Sequence, residues 1–317
     1  MKEYTYSVAR VRAKEKQLLS EADIEQLISV NSYDGALRML RDKGYASETT
    51  TGSPITSSEK ELQEFLKETV GADILNVLNM HIDYHNIKAA VKSVFSKTDG
   101  SELLLDNGCF DKDKIYDSIK KREYNSMPSD LAKTSEEAHA LLLRTGDGQL
   151  CDMLIDKAML ENTLEEAKQT KEEFLVSFCK LNIDVSNLKI ALRCALTGKD
   201  GAFIVNALAE GGSLDTSMLA NASEKGVDSF CEYIEHGSYA DSLEAVKKSV
   251  SAFEKWCDDK LMDLMYDTKY DSFSVAPLIA YFYAKRTEHQ AVTLILSAKR
   301  NGLSEDMIRE RVRRLYV

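Results

Sequence analysis

Proline is scarce in this chain. Only Pro54, Pro128 and Pro277 occur in 317 residues, and because a proline inside a helix removes a hydrogen bond and clashes with the preceding turn, their scarcity leaves long stretches free of forced breaks. Long apolar runs are also missing. No stretch approaches the ~20 apolar residues of a membrane span, which excludes an integral helical membrane protein. Cysteine occurs only singly, at 109, 151, 179, 194, 231 and 257, with no CxxC pair and no histidine at ligand spacing. A disulfide scaffold and a structural zinc site are thereby excluded, and reduced, mostly buried thiols are expected. Positive charge is in deficit, with 41 Lys and Arg against 52 Asp and Glu for a net charge of −11. Generic nucleic-acid binding needs clustered cations and is excluded as well. The opening Met1-Lys2-Glu3-Tyr4 leads into a charged stretch without an apolar signal region, so the expectation is a protein kept in the cytoplasm.

What is present points to an all-α protein with a substantial core: 44% apolar residues, 29% charged residues, and no strongly signalled strand. Helical spacing is clear at Leu62, Phe65, Leu66, Val70, Ile74, Val77 and Leu78, read as one face of one long segment. It returns at Phe174, Phe178 and Leu181, and at Phe253, Trp256, Leu261, Leu264 and Met265, with Trp256 expected as a large core side chain. Loops are expected at residues 47–58, at 127–129 and at 211–213.

These segments belong to a pattern that recurs about every hundred residues. Asp83, Asn86, Ile87, Lys88 and Ala90 run toward Gly100; Asp184, Asn187, Leu188, Lys189 and Ala191 run toward Gly201; a third copy, residues 292–296, runs toward Gly302. An apolar-to-tyrosine step of five residues accompanies each copy, at Leu40 and Tyr45, Ile119 and Tyr124, and Ile234 and Tyr239. Three similar helical units follow, over residues 1–101, 102–204 and 205–317. Asp184 and Ser272 are read as N-caps of the marked helices, and Pro277 lies close enough to a helix start to be tolerated there. Near the C-terminus, Leu303-Ser304-Glu305 with Ile308 repeats Leu19-Ser20-Glu21 with Ile24, as though a fourth unit were beginning.

Motifs that carry chemistry are weak. Gly198-Lys199 and Gly201 follow a helix and lack the upstream glycine of a phosphate-binding loop. His81 and His85 stand one helical turn apart, but Ile82 occupies the place where a zinc protease motif needs glutamate. Asp258, Asp259 and Asp263 resemble the magnesium-binding aspartates of a helical diphosphate enzyme, yet their spacing is one residue too long and no second acidic cluster accompanies them. The plainer reading is a solvated acidic face opposite Phe253, Trp256 and Leu264. No catalytic residue, cofactor site or metal site is therefore assigned. Two basic patches, Arg10, Arg12, Lys14 and Lys16 near the start and Arg309, Arg311, Arg313 and Arg314 near the end, are either solvated helix surfaces or a face for an acidic partner or lipid headgroups. Arg10, Arg12, Arg309 and Arg313 are the candidate interface residues.

The run from Tyr4 to Arg12, Leu18-Leu19-Ser20, Ser32-Tyr33, Gly44-Tyr45, residues 83–88, residues 184–191 and residues 299–303 together resemble the family of V-type ATPase C subunits, whose eukaryotic members are called d. The resemblance covers essentially the whole chain. It implies a funnel of three similar helical domains about a pseudo-threefold axis. Such a protein caps the cytoplasmic side of the membrane proteolipid ring and receives the central rotor shaft. It has no active site, and the complex it serves moves protons or sodium. One departure stands out: where the family's third repeat carries an asparagine followed by a basic residue, this chain has Ala291, Val292 and Thr293. The Asn and Lys positions of the first two copies are accordingly read as packing and surface positions. A cytosolic helical-repeat scaffold and a magnesium-dependent helical enzyme using Asp258, Asp259 and Asp263 stand as the alternatives.

Overall fold

The computed structural model describes residues 4–45 and 54–317, and among them every regular element is a helix. In chain order the α-helices are α1 (Thr5–Glu15), α2 (Glu21–Ser29), α3 (Tyr33–Asp42), α4 (Pro54–Thr69), α5 (Ala72–Ser96), α6 (Lys112–Lys121), α7 (Ser129–Thr145) and α8 (Gly148–Thr170). They continue with α9 (Glu173–Thr197), α10 (Gly201–Ala207), α11 (Thr216–Glu224), α12 (Val227–Glu235), α13 (Leu243–Lys248), α14 (Val250–Tyr266), α15 (Ala276–Arg300) and α16 (Glu305–Arg311). Among the described residues no helix is long and apolar enough to cross a membrane.

Short polar side chains set where many of these helices start. Ser20 and Asp23 form a reciprocal capping box at α2, and Asp111, Asp147, Asp200, Asp215, Ser249 and Ser304 each accept a backbone N–H in the first turn of the helix that follows. Pro277 occupies the first turn of α15, where its missing N–H has no helical partner to lose.

Two compact units result. One is built from both ends of the chain, up to Gly71 and from Glu244 onward; the other comprises residues 72–243. In the mid-chain unit α5 packs against α6, α7 and α8, while α9 packs against α8, α11 and α12. Around α5 the core is formed by Tyr84, Ile87 and Val91 with Ile115, Ile119, Leu142 and Ile155. In the end-formed unit α15 is the central helix, contacted by α1, α4 and α14. The α2–α3 pair and α16 close over its C-terminal half, where Leu27, Ile28 and Leu40 meet Val292, Ile295, Leu296 and Ile308. Both Ser20 and Ser304 thus begin real helices, and α16 packs on α2.

Several expectations need correction. The stripe from Leu62 to Leu78 belongs to two helices, because α4 ends at Thr69 and Gly71 takes a left-handed φ of +87° before α5 begins. Asp184 is no N-cap; it lies buried within α9, which also contains Phe174, Phe178 and Leu181. Ser272 does not cap α15 either, and the Ala276 N–H is met instead by Ser274 Oγ at 3.1 Å. Residues 54–58 belong to α4, whereas 47–53 lie outside the described residues. The three closing glycines are not equivalent: Gly302 is left-handed, but the left-handed positions just after α5 and α9 are Lys97 and Gly198.

Trp256 is half-buried and stacks on Phe253 with ring centroids 6.0 Å apart, and it is Phe253 that is fully enclosed. Phe253→Ala is therefore expected to destabilise the fold by about 3–5 kcal/mol, with Trp256→Ala the milder change. Urea denaturation of the two variants checks the order, and a larger loss for Trp256→Ala would contradict it.

Candidate functional site

The helices α5, α9 and α15 have the same length, 25 residues, and each carries a buried carboxylate near its middle: Asp83, Asp184 and Glu288. A carboxylate taken out of water needs donors. On α5, Asp83 accepts the N–H groups of Cys109 at 3.1 Å and Phe110 at 3.2 Å. Three residues further, on the same helix face, Asn86 donates to the Leu105 carbonyl at 3.0 Å and accepts the Leu105 N–H at 2.8 Å. On α9 the arrangement recurs. Asp184 accepts the N–H groups of Ser213 at 2.9 Å and Leu214 at 3.1 Å, the Ser213 hydroxyl at 2.6 Å and the Tyr239 hydroxyl at 2.8 Å. Asn187 donates to the Ala209 carbonyl at 2.8 Å and accepts its N–H at 2.9 Å.

Glycine makes the approach possible in both copies. A Cβ on Gly108 would fall 2.2 Å from Asp83 Oδ1, and one on Gly212 would fall 2.2 Å from Asp184 Oδ1. Each long helix thus grips the loop that follows it by two backbone points, one through an aspartate and one through an asparagine.

The third latch is built differently. Glu288 accepts the Leu19 N–H at 2.5 Å, the Tyr45 hydroxyl, and the Lys285 ammonium at 2.5 Å. Here the gripped backbone comes from the N-terminal end of the chain. The segment after α16 goes to α14 instead: Tyr266 donates its hydroxyl to the Leu315 carbonyl at 2.7 Å and stacks on Tyr316 at 5.4 Å. That routing accounts for Ala291, which sits among apolar side chains at the position corresponding to Asn86 and Asn187. A buried amide without a loop to grip would carry a penalty of about 1–3 kcal/mol.

All three latched helices lie within the part of the chain that matches a known family. The family model described as ATP synthase (C/AC39) subunit covers residues 7–311. The chain belongs to that family. It is 22% identical over 317 residues to the V-type sodium ATPase C subunit of Enterococcus hirae, with 96% of this chain and 97% of that protein covered. It is similar to the A-type ATP synthase C subunit of Halorubrum lacusprofundi, at 25% identity over 96% of this chain and 95% of that protein. The corresponding protein of Thermococcus kodakarensis is 24% identical over 97% of this chain and 89% of its own length.

In this member of the C/AC39 family the four arginines singled out as interface candidates all have internal partners. Arg10 pairs with Glu68 at 2.8 Å and covers the Phe65 ring; Arg12 pairs with Glu15 at 2.7 Å. Arg309 bridges Glu25 at 2.6 Å and Glu305 at 2.7 Å, and Arg313 holds Asp258 at 2.7 Å. Asp263 is taken by Arg314, and Asp259 is turned inward, where burial pushes its carboxyl up. The acidic trio is therefore a seat for the C-terminal arginines rather than an open ligand set. His81 and His85 do not converge on one point: their ring nitrogens lie 2.9 Å from the Leu78 carbonyl and 3.1 Å from the Leu103 carbonyl. Among the described residues no group of three His, Cys, Asp or Glu side chains is placed to hold a metal ion. Lys199 lies over the Phe203 ring at 4.8 Å.

Sequence reasoning marked Asp83, Asn86, Asp184 and Asn187 but missed Glu288 and the role of the carboxylates. The available signal was an acid and an asparagine three residues apart, followed some twenty-five residues later by a glycine.

Burial raises the Asp83 carboxyl above its ordinary range despite the backbone donors. Burial, then Glu288, keeps the Tyr45 hydroxyl protonated. His289, next to Glu288, meets Ser58 Oγ at 2.9 Å and the edge of the Tyr45 ring; burial, with Lys285 and Arg286 adding to it, pushes its pKa down to about 3. Because the unfolded chain takes up this proton near the ordinary value and the folded chain does not, His289 lowers stability as pH falls from about 6.5 toward about 3. Between pH 7 and pH 5 that loss is about 2 kcal/mol, and it should vanish in His289→Gln. Equal acid sensitivity of the two proteins in chemical denaturation would contradict a neutral, buried His289.

Proposed function

We propose that this chain is a non-catalytic central-stalk subunit of a V-type or A-type rotary ATPase or ATP synthase, a socket that couples the central rotor shaft to the membrane proteolipid ring. The reading rests above all on one observation, the family match over residues 7–311 together with relatives of nearly equal length that are named as the C subunit of such complexes. We place the protein on the cytoplasmic face, peripheral to the membrane through the ring, in a complex that moves protons or sodium. The three-unit division at residues 1–101, 102–204 and 205–317, arranged as a funnel with pseudo-threefold symmetry, is part of the same proposal, with N-terminal residues completing the third copy.

The latches give this reading a physical rationale. An adaptor that carries torque must not shear internally, and backbone gripped at two points by α5 and by α9 resists sliding better than packing alone, since apolar contacts are non-directional and hydrogen bonds are directional. Arg10 and Arg309, each with more than a third of its side chain exposed, remain the basic groups we assign to partner contact, with Arg12 and Arg313 behind them.

The test uses purified shaft and purified ring separately. The wild-type chain is expected to bind each and to show no ATP hydrolysis alone. Asn187→Ala, which leaves the Ala209 N–H and carbonyl without their partner, is expected to weaken both bindings several-fold, whereas Arg10→Ala or Arg309→Ala affects at most one partner. Failure of the wild-type chain to bind either component would reject the proposal.

A further inference from the structure

The loops gripped by α5 and α9 match in position but not in how firmly they are held. Each is a strap that leaves its long helix, returns to it, and ends at the aspartate capping the next helix: residues 97–110 before Asp111, and residues 198–214 before Asp215. The first strap buries Leu104, with Phe110 half-buried at its end, while Leu103 and Leu105 stay 60% and 47% exposed. The second buries Ile204, Ala207, Leu208 and Ala209, and it contains α10, which packs on α8, α9 and α11. Less apolar surface is therefore taken out of water by the first strap, and its docking gains less from the hydrophobic effect.

The polar ties differ in the same direction. Asp83 accepts two backbone N–H groups, at 3.1 and 3.2 Å, and burial still raises its carboxyl above the ordinary range. Asp184 accepts two backbone N–H groups and two hydroxyls, at 2.6–3.1 Å. One of those hydroxyls is Tyr239, whereas Tyr124 of the first copy is bonded to His139. The other grips on the first strap, Asn86 on Leu105 and His85 on the Leu103 carbonyl, again come from α5, apart from an exposed pair between Asp106 and Lys112 at 2.8 Å. The second strap is tied to two further helices: Glu224 of α11 accepts the Gly201 N–H at 2.8 Å, and Glu161 of α8 accepts the Glu210 N–H at 2.9 Å. Backbone conformation adds to the contrast. The left-handed positions of the first strap are Lys97 and Asn107, at φ +57° and +67°, whereas those of the second are Gly198 and Gly211, which have no Cβ to strain.

We propose that the strap after α5 is a releasable cover: residues 97–110 lift off the helix as a unit and uncover Asp83 and Asn86, while the helices and the strap after α9 stay in place. Segments that bury little apolar surface and carry few ties open at a free energy well below that of global unfolding. The movement runs between Lys97, where the chain leaves α5, and Asp111, which holds the first turn of α6. Release is reversible because Asp83 exchanges its two backbone donors for water on opening and regains them on closing, so the carboxylate has donors in both states. This device goes beyond the function proposed above and does not depend on it.

The experiment is hydrogen–deuterium exchange of the full chain at neutral pH, read residue by residue at amides that the two latches hold in matched fashion. These are Leu105, Cys109 and Phe110 in the first strap, and Ala209, Ser213 and Leu214 in the second. After correction for intrinsic exchange rates, the first set is expected to exchange about a hundredfold faster than the second. Low urea that accelerates exchange in the middle of α5 is expected to leave the first set unchanged. Asn86→Ala, which removes the grip on Leu105, is expected to speed the first set about tenfold further and to leave the second as it was. Equal protection of the two sets overturns the proposal, and so does first-strap exchange that rises with urea in step with α5, because the strap then opens only when the chain unfolds. An Asn86→Ala chain in which the first set is unchanged, or in which both sets accelerate alike, overturns it as well. If that variant does not fold, the wild-type comparison and its urea dependence decide.

Discussion

A carboxylate in the middle of a long helix cannot be satisfied by its own helix, whose backbone donors are already committed to carbonyls one turn earlier. Placing Asp83, Asp184 and Glu288 on buried faces therefore obliges another part of the chain to bring free N–H groups to each. Much of the topology follows from meeting that demand. The loops after α5 and α9 lie against the helix they have just left because their backbone groups are the donors, and Gly108 and Gly212 are present because any side chain there would occupy the space of the carboxylate oxygen. Removing such a donor leaves a buried charge unmet, which is far more damaging than removing an apolar contact of similar size.

In the third copy the segment that follows the long helix is committed elsewhere. Beyond α15 there is α16 and then a short segment committed to α14 through Tyr266, Asp258 and Asp263. The N-terminal end supplies the missing donor through Leu19, and the hydroxyl of Tyr45 takes the place that Tyr239 has at Asp184. A glutamate replaces the aspartate, with Lys285 as an added counter-charge. The two chain ends are thereby tied into one unit, and Lys299 strengthens the tie by donating to the Ile28 carbonyl at 2.7 Å near the end of α2. The departure at Ala291 fits this routing, since the residue sits among apolar side chains and the following segment is bonded to α14.

Much of this is legible in the sequence and some is not, for identifiable reasons. Helical periodicity and the lack of proline specify helices well, and the marks of the first two copies include the residues that form their latches, Asp83, Asn86, Asp184 and Asn187. Their role is easily mistaken. An aspartate just before an apolar run looks like an N-cap, and only the continuity of α9 through Asp184 shows that the helix had begun eleven residues earlier at Glu173. The break at Gly71 is hidden because the apolar stripe keeps its spacing across it. Glu288 gives no local signal because its partners, Leu19 and Tyr45, are more than two hundred residues away in sequence, and no short pattern encodes a contact of that range. The tyrosine step does not play one role throughout: Tyr45 and Tyr239 bond to Glu288 and Asp184, whereas Tyr124 bonds to His139 at 2.8 Å.

The charged residues teach a complementary lesson. Read as a string, the arginines near both ends form two basic patches and the aspartates of α14 form an acidic one, and each invites a functional reading by itself. In the fold they cancel locally, Arg313 on Asp258, Arg314 on Asp263 and Arg309 on Glu25. Exposed pairs of this kind add little stability, so their effect is chiefly to fix where the C-terminal segment lies and to remove free charge from the surface. Arg12 goes further, since its guanidinium spends its donors on backbone carbonyls and sets a loop. Directed polar contacts, applied to backbone at a few buried points, thus determine which parts of this helical chain are held still.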